Sequence, residues 1–562
     1  MKVLLVALNS QYIHSNLALR YLKAYTKHMD YNCKLREFTI NNRIEQVLQD
    51  IMEEEPDIIC FSTYIWNVEM VKILSNLIKK VNNNIEILYG GPEVSFSSEE
   101  FLMEAKGDYI IKGEGEETYR EFMEYKLGIK DINSIKGLYY KKEETVYFNG
   151  IRPNMDMNKI VFPYEEQENL KDKIVYYEGS RGCPFRCKYC LSSTDRNLRF
   201  LDIERIKKEL QFFIDKEVKL VKFVDRTFNA NHKFAMEIWD YLITNAKNTS
   251  FHFEISADIL REDEIELLSK APYGLFQFEV GVQSTNNITL KNINRMVNFS
   301  SIEEKVLEVK KLKNIKQHLD LIAGLPGEDL NSFINSFNHV YSLEPEEIQL
   351  GFLKLLKGSP MLEEAEKWGM VYSPYPPYEI LKTNDITYEE LVLLKRVEEV
   401  VDKYYNSGKF HTIVNYFIDK FTSPFDFFLE LSKFFKAKGY FRRNINSTDY
   451  YKVFLDFNSE ILGDENNNLI EIIKYEYLLY NKRNWIPEFL RSELVKEEIN
   501  QIKDTLKKED PKINFSKVHI QKFNLDIKTY LEKNITKNTE VYVIFYENKD
   551  KVKFITSYNS IT

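Results

Sequence analysis

Three of the chain's five cysteines fall within eight residues, in Cys183-Pro184-Phe185-Arg186-Cys187-Lys188-Tyr189-Cys190. This C-x3-C-x2-C loop offers three thiolates, and no fourth cysteine lies near it. Thiolates are the usual protein ligands of iron–sulfur clusters, and a cubane has four irons to satisfy. Three ligands leave one iron open, and an open position separates a metal site that does chemistry from one that only holds a fold. The alternative is a zinc loop completed by a distant histidine, His232 or His252. Zinc sites usually pair cysteines as C-x2-C with a second distant pair. Here Cys33 and Cys60 stand singly in strand-like apolar contexts that suit buried small hydrophobes.

A chain of 562 residues exceeds one ordinary core and suggests about three domains. Its 44% hydrophobic and 29% charged content is that of a globular protein. No apolar run approaches a membrane span, and Met1-Lys2 leads straight into a strand-like segment without a signal peptide, so a cytoplasmic protein is expected. A net charge of −9 argues against a general nucleic-acid coat and leaves a local basic groove open.

Residues 1–148 alternate strands and helices as a doubly wound parallel sheet does. Val3–Leu8 is a short apolar run suited to a strand buried on both faces, and further strands are expected at 57–62, 85–89 and 109–112. Ile44, Val47, Leu48 and Ile51 recur at helical spacing, as do Met70, Ile73, Leu74, Leu77 and Val81. Ligands of such folds bind beyond the carboxyl ends of the strands. There lie Asn9-Ser10-Gln11-Tyr12, Ser62-Thr63-Tyr64, Gly90-Gly91-Pro92 and Gly113-Glu114-Gly115-Glu116. Residues 149–171, with Asn149-Gly150, Pro153 and Phe162-Pro163-Tyr164, read as a linker.

Residues 172–375 repeat strand–helix units, with strands expected at 174–178, 220–224, 251–255, 276–280, 318–322 and 348–353. Six such strands form a partial barrel whose reactive residues collect at the carboxyl ends. The cysteine loop follows the first strand, Asp225-Arg226 the second, Ser256-Ala257-Asp258 the third and Gln283-Ser284 the fourth. Residues 376–562 carry no cysteine or phosphate loop. They read as mostly helical, ending in a hairpin at 540–546 and 552–558. Their dense aromatics, Phe421–Phe435 and Tyr475–Tyr480, are expected in a core rather than on a stacking surface, and Arg442-Arg443 on a solvated face. The fold class is therefore α/β: a Rossmann-like sheet, a partial (β/α)6 barrel and a mostly helical α+β domain.

The cysteine loop resembles the signature of radical S-adenosylmethionine (SAM) enzymes, in which the open iron chelates the amino and carboxylate groups of SAM. The resemblance implies that Cys183, Cys187 and Cys190 bind one 4Fe-4S cluster and that Tyr189 packs beside adenine. It also implies that Asp225, in Phe223–Phe228, meets the methionine amino group. Ser256 holds a SAM-binding position, Gln283 (in Gly281–Ser284) contacts ribose, and Gly324 (in Leu321–Glu328) flanks adenine. Leu353–Met361 resembles the end of this domain.

Upstream, Gly90-Gly91-Pro92-Glu93 and Gly113-Glu114-Gly115-Glu116 resemble the cobalamin-binding domain of one large radical SAM subclass. This implies cofactor contacts at Ser62, Thr63, Gly90, Gly91, Gly113 and Glu114. The D-x-H-x-x-G motif of proteins with a histidine cobalt ligand is incomplete here. His14 is a cobalt ligand or, as the missing aspartate and glycine favour, a polar cap of the helix carrying Leu17, Tyr21 and Ala24. The C-terminal third resembles an extension of unknown function found on some such proteins.

Together these resemblances imply an anaerobic enzyme that receives electrons from a donor such as a flavodoxin or ferredoxin and cleaves SAM to a 5′-deoxyadenosyl radical. Methyl transfer to an unactivated carbon of an unknown substrate is the leading expectation. Oxidative cyclisation or rearrangement is the alternative that keeps both cofactors. Methylthio transfer to tRNA would need three more N-terminal cysteines. A non-catalytic cobalamin or redox sensor would not need the SAM-contact segments.

Overall fold

The computed structural model of the chain describes residues 1–171, 173–464, 467–481, 483, 486–492, 496–547 and 552–555. It divides into two compact units, Met1–Pro345 with Gln349–Leu391, and Glu346–Ile348 with Val392–Thr562. The expected start of the second domain, Asp172, lies outside the described residues.

The first unit opens with a seven-stranded sheet of β1 (Lys2–Asn9), β2 (Asn32–Thr39), β3 (Ile58–Ser62), β4 (Glu86–Gly90), β5 (Tyr109–Ile111), β6 (Leu138–Lys142) and β7 (Thr145–Phe148), ordered β2-β1-β3-β4-β5-β6-β7. Its first five strands run parallel, and β6 and β7 extend it antiparallel. Alternate residues of β1 feed opposite cores. Leu4, Val6 and Leu8 pack on one face of the sheet, and Val3, Leu5 and Ala7 on the other. A strand buried on both sides needs a continuous apolar run, and β1 has one. The order reverses between β2 and β3 around β1, which opens a crevice at the carboxyl ends of β1 and β3.

β2, β6 and β7 were not among the expected strands. β2 is an outer strand, half-exposed along most of its length, and it mixes Lys34, Arg36 and Glu37 with apolar residues. Its pattern therefore lacks the apolar run that marks β1. The pair β6–β7 is short and joined through Glu143-Glu144.

The second sheet of this unit has six strands in chain order: β8 (Ile174–Tyr177), β9 (Leu220–Phe223), β10 (Ser250–Ile255), β11 (Phe276–Gln283), β12 (Lys316–Ala323) and β13 (Glu347–Phe352). The pairings from β8 through β12 are parallel. Side chains alternate faces along a strand, and here the two faces differ sharply. Phe251, Phe253, Phe276, Phe278, Leu319 and Leu321 are fully buried, with Phe253 packed against Phe223 and Phe228. Their neighbours His252, Glu254, Gln277, Glu279, His318 and Asp320 point the other way, so the concave side is polar. The first strand's edge is tied to the N-terminal loop, since Ile174 N–H donates to Ile13 O at 3.1 Å.

The second unit packs helices His411–Ile418, Pro424–Ala437 and Asp449–Leu462 around fully buried Phe417, Phe427, Phe428, Phe435, Phe454 and Phe457. The aromatic density is thus a core, and Arg442 and Arg443 are exposed as expected. The sheet β14 (Val518–Phe523), β15 (Val541–Tyr546) and β16 (Val552–Ile555) is antiparallel. It contains the expected hairpin, of which residues 548–551 and 556–558 lie outside the described residues, and adds β14 to it. Among the described residues no helix is long and apolar enough to cross a membrane.

Gly91 follows β4 at φ 115°, ψ 172°, a region essentially closed to other residues. A Cβ there would strike the Thr63 carbonyl oxygen, whereas beside Gly90 the space is open. G91A is expected to cost about 2–5 kcal/mol from strain and overpacking together. G90A should cost less than about 1 kcal/mol, and chemical denaturation of the pair checks the difference.

Candidate functional site

β8 leads into Ser180-Arg181, which pairs antiparallel with Arg199-Phe200, and the cysteine loop hangs between these two segments. Gly182 sits at φ 94°, where a Cβ would meet Asn197 O at 2.6 Å. The loop is pinned by backbone bonds from Cys183 N–H to Asp195 O (3.0 Å), Lys188 N–H to Ile293 O (2.9 Å) and Met361 N–H to Lys188 O (3.0 Å). All three cysteines line one cavity of about 210 Å³. Cys183 and Cys187 are buried and Cys190 half-buried. Thr227 Oγ1 stands 3.6 Å from Cys183 Sγ, and Arg295 Nη1 donates to Cys187 Sγ at 3.8 Å.

The other walls come from the strand ends and the polar concave face, including Glu254, Ser256, Glu279, Gln283 and Asp320. Burial opposes the charge of Glu279, yet His252 and Lys222, each at 3.2 Å, hold its carboxyl down at about 2. Burial and then the Glu279 charge push Glu254 up to about 7. Asp320 is driven well above the usual carboxylate range by burial, Glu279 and Glu254. His318 falls to about 4 through burial and the neighbouring His252. Gln283 Oε1, Asp320 Oδ1 and Arg295 Nε are shielded from solvent without a hydrogen-bond partner. Buried polar atoms are normally satisfied, so three orphans around one cavity mark a place built to receive polar groups.

Of the residues singled out for SAM, the structure brings Tyr189, Ser256 and Gln283 to this cavity with the cysteines. Gly281 has a steric reason to be glycine, because a Cβ there would run into the Gln283 amide. Asp225 lies elsewhere: it is fully buried, and its carboxylate accepts from Gly179 N–H (2.9 Å) and Ser180 Oγ–H (2.6 Å). It holds the chain leaving β8, and its neighbours Arg226 and Thr227 reach the cavity instead. Gly324 is also outside the lining, at φ 84° and packed so closely that a Cβ would meet Ile380 Cγ2 at 2.8 Å. Neither zinc candidate reaches the thiols' cavity; His232 pairs with Asp263 and Glu264, and His252 with Glu279.

On the N-terminal sheet, Gly90 and Gly113 stand beside open space, while Gly91 is pressed against Thr63. Thr63 Oγ1 is buried without a partner, and Ser62 Oγ accepts from Asn16 Nδ2 at 2.9 Å. His14 is not the helix cap. Asn16 fills that role by accepting from Leu19 N–H at 2.9 Å, and His14 Nδ1 meets Tyr176 Oη at 2.7 Å. Glu114 is occupied by protein donors, accepting from Met155 N–H (2.8 Å) and Arg199 Nη2 (2.6 Å). Burial opposes its ionisation, but Arg199, Met155 and Arg181 outweigh burial and hold its pKa low.

The acidic members of both glycine segments are bonded to segments that follow the first sheet in the chain. Glu93 accepts from Tyr378 Oη and pairs with Lys357 at 3.3 Å. Arg181 donates to Glu116 (2.5 Å) and Glu178 (3.0 Å), with Glu114 at 3.5 Å. Sequence reasoning missed Arg181, Glu254, Glu279, Arg295 and Asp320. A signal existed for the carboxylates, since Phe251-His-Phe-Glu-Ile255 and Phe276-Gln-Phe-Glu-Val280 alternate aromatic and polar residues strictly. None existed for Arg295, which lies in an irregular segment between two helices.

Among the described residues no group of three or more His, Cys, Asp or Glu side chains forms a cage for a single metal ion. A cubane asks for something different, because each thiolate meets its own iron. Three thiols lining one cavity with unpartnered polar atoms fit such a cluster together with a polar ligand. Open backbone at Gly90 and Gly113 at the carboxyl edge fits a bulky ligand of the N-terminal sheet.

Comparison with known proteins finds family matches in three stretches of the chain. Residues 3–123 match the B12 binding domain, 177–340 the radical SAM superfamily, and 366–545 a family described as a protein of unknown function, DUF4080. The radical SAM domain implies a 4Fe-4S cluster and SAM, and the B12 binding domain implies cobalamin. The chain is 23% identical over 352 residues to the cobalamin-dependent radical SAM methyltransferase TokK of Streptomyces tokunonensis, covering 58% of this chain and 51% of that one. It is 24% identical over 280 residues to the anaerobic magnesium-protoporphyrin IX monomethyl ester cyclase of Synechocystis, covering 47% and 55%. The chain spans about half the length of the curated relatives it matches. In fold it is similar to the cobalamin-dependent SAM radical enzyme OxsB solved with aqua-cobalamin and SAM, with a TM-score of 0.59, 18% identity and coverage of 90% and 81%.

Two outcomes follow from the charges. Breaking a buried ion cluster leaves carboxylates uncompensated, so R181M should lose about 3–5 kcal/mol in denaturation. Glu254 binds its proton more tightly folded than unfolded, so its contribution is full below pH ~4.5 and is lost as pH rises through about 7. The loss amounts to roughly 3 kcal/mol. E254Q, neutral throughout, should flatten the fall in unfolding midpoint between pH 4.5 and 7.5.

Proposed function

We propose that this chain, in which a B12 binding domain precedes a radical SAM domain, is a cobalamin-dependent radical SAM methyltransferase acting on an unactivated carbon. The observation that carries the reading is one cavity lined by Cys183, Cys187 and Cys190 together with Gln283, whose Oε1 is buried without a partner. When bound, the cluster and SAM supply a 5′-deoxyadenosyl radical, and cobalamin supplies a methyl group. The chain's part is to hold and orient. Cys183, Cys187 and Cys190 would hold the cluster through their thiolates, and three ligands would leave room for SAM to bind it. Gln283 would offer its free amide oxygen to the ribose, Ser256 would lie beside SAM in the same cavity, and the half-buried Tyr189 ring would flank the adenine. Open space beside Gly90 and Gly113 would let a corrin come close to the backbone there.

The similarity to TokK supports methyl transfer. The similarity to a cyclase supports a second reading, in which both cofactors serve an oxidative cyclisation without methyl transfer. Either reading calls for an electron donor such as a flavodoxin or ferredoxin and suits a cytoplasmic, anaerobic setting. The substrate is unassigned.

Anaerobic reconstitution with iron, sulfide, cobalamin, SAM, reductant and cell extract tests the proposal through its nucleoside products. Methyl transfer yields both 5′-deoxyadenosine and S-adenosylhomocysteine, and C187A should lower both at least about 100-fold. 5′-Deoxyadenosine alone would select cyclisation, and neither product would refute both readings.

A further inference from the structure

Arg295 belongs to none of the segments that mark the cofactor sites, yet it brings a charged donor to a cysteine of the loop. Residues 293–295 follow the helix Asn287–Asn292 and grip the loop on both sides of Cys187. Asn294 Nδ2 donates to Arg186 O at 3.0 Å, and Ile293 O accepts from Lys188 N–H at 2.9 Å. Between these two bonds, Arg295 Nη1 points at Cys187 Sγ from 3.8 Å. Its other terminal nitrogen donates to Gly281 O, at the cavity end of β11, and fixes the plane of the guanidinium. Its Nε is shielded from water and unpartnered. Fully solvated, an arginine has no reason to be held this way.

We propose that Arg295 sets the reduction potential of the cluster by placing a fixed positive charge and a hydrogen bond on Cys187 Sγ. The proposal rests on the reading of the three thiols as cluster ligands and goes beyond it. Hydrogen bonds to ligating sulfurs and local charge are levers by which a protein tunes such a cluster. A guanidinium stays protonated at any working pH, so its effect is constant. Reduction adds negative charge to the cluster and its sulfurs, and a nearby cation stabilises the reduced state more than the oxidised one. Arg226 is the other guanidinium of the cavity lining, but the one bonded to a thiol is that of Arg295, while Cys183 faces the neutral Thr227 hydroxyl. Arg295 acts through Cys187 and is a positioning residue.

The test is an anaerobic redox titration of the reconstituted full chain, followed by electron paramagnetic resonance, with iron and sulfide counted in each variant. At a fixed poise, R295M should hold about tenfold less reduced relative to oxidised cluster, a downward shift of about 59 mV for a one-electron couple. R295K, which keeps the charge without the fork, should fall between R295M and the parent chain. A loaded R295M whose ratio differs less than twofold from the parent overturns the proposal. A purely structural role would lower cluster content and leave the midpoint of the loaded fraction in place. If R295M takes up no cluster, R295K and R295Q decide, and unchanged midpoints in both overturn the proposal. A parent chain that binds no cubane would instead refute the cluster reading itself.

Discussion

One guanidinium ties the entry of the cysteine loop to the N-terminal sheet. Arg181 stands two residues before Cys183, and its donors run to Glu116 at the end of the N-terminal sheet and to Glu178 at the exit of β8. Burial works against its charge, but Glu178 and Glu116 outweigh burial and raise its pKa further. Arginine suits this task because its planar fork presents donors in fixed directions and does not deprotonate. Arg199, on the segment paired with Arg181, extends the network to Glu114. The two strands that suspend the cysteine loop are thus clamped to the sheet carrying the B12 binding domain. Through these contacts the thiols are registered against the edge where Gly90 and Gly113 leave open space.

That clamp reassigns the acidic residues of the glycine-rich segments. Glu93, Glu114 and Glu116 are taken by Tyr378, Lys357, Arg199 and Arg181, so they tie the N-terminal sheet to later segments of the chain. The glycines beside them divide by the same criterion. Gly91 is required by the approach of Thr63, whereas a Cβ at Gly90 or Gly113 would meet only open space. A single motif therefore serves docking through its carboxylates and cofactor access through its glycines. The cavity shows a similar economy: one face of β10, β11 and β12 builds the aromatic core while the other lines a polar site.

The parallel strands other than β2, and the cysteine loop, were legible in the sequence because each depends on local signals. Apolar runs such as Val3–Leu8 report burial on both faces, and C-x3-C-x2-C reports ligand spacing without reference to distant chain. Asn16 shows where local reading stopped. Two residues after His14, it supplies the cap by accepting from Leu19 N–H, while His14 is claimed by Tyr176, 162 residues away. Asp225 shows the same limit, since its carboxylate is spent on Gly179 and Ser180 and only its neighbours reach the cavity. β2 was missed because an outer strand needs no continuous apolar run. Arg181 and Arg295 were missed because nothing local distinguishes a clamped arginine from a solvated one.

The central claim is that the three thiols hold one cluster with an iron open to SAM. Electron paramagnetic resonance of the reconstituted, reduced chain, recorded before and after SAM is added, tests this most directly. The account predicts a single reduced-cubane signal whose g-values move on SAM addition and which disappears in C183A, C187A and C190A. A signal indifferent to SAM, or one that survives loss of Cys187, would contradict it.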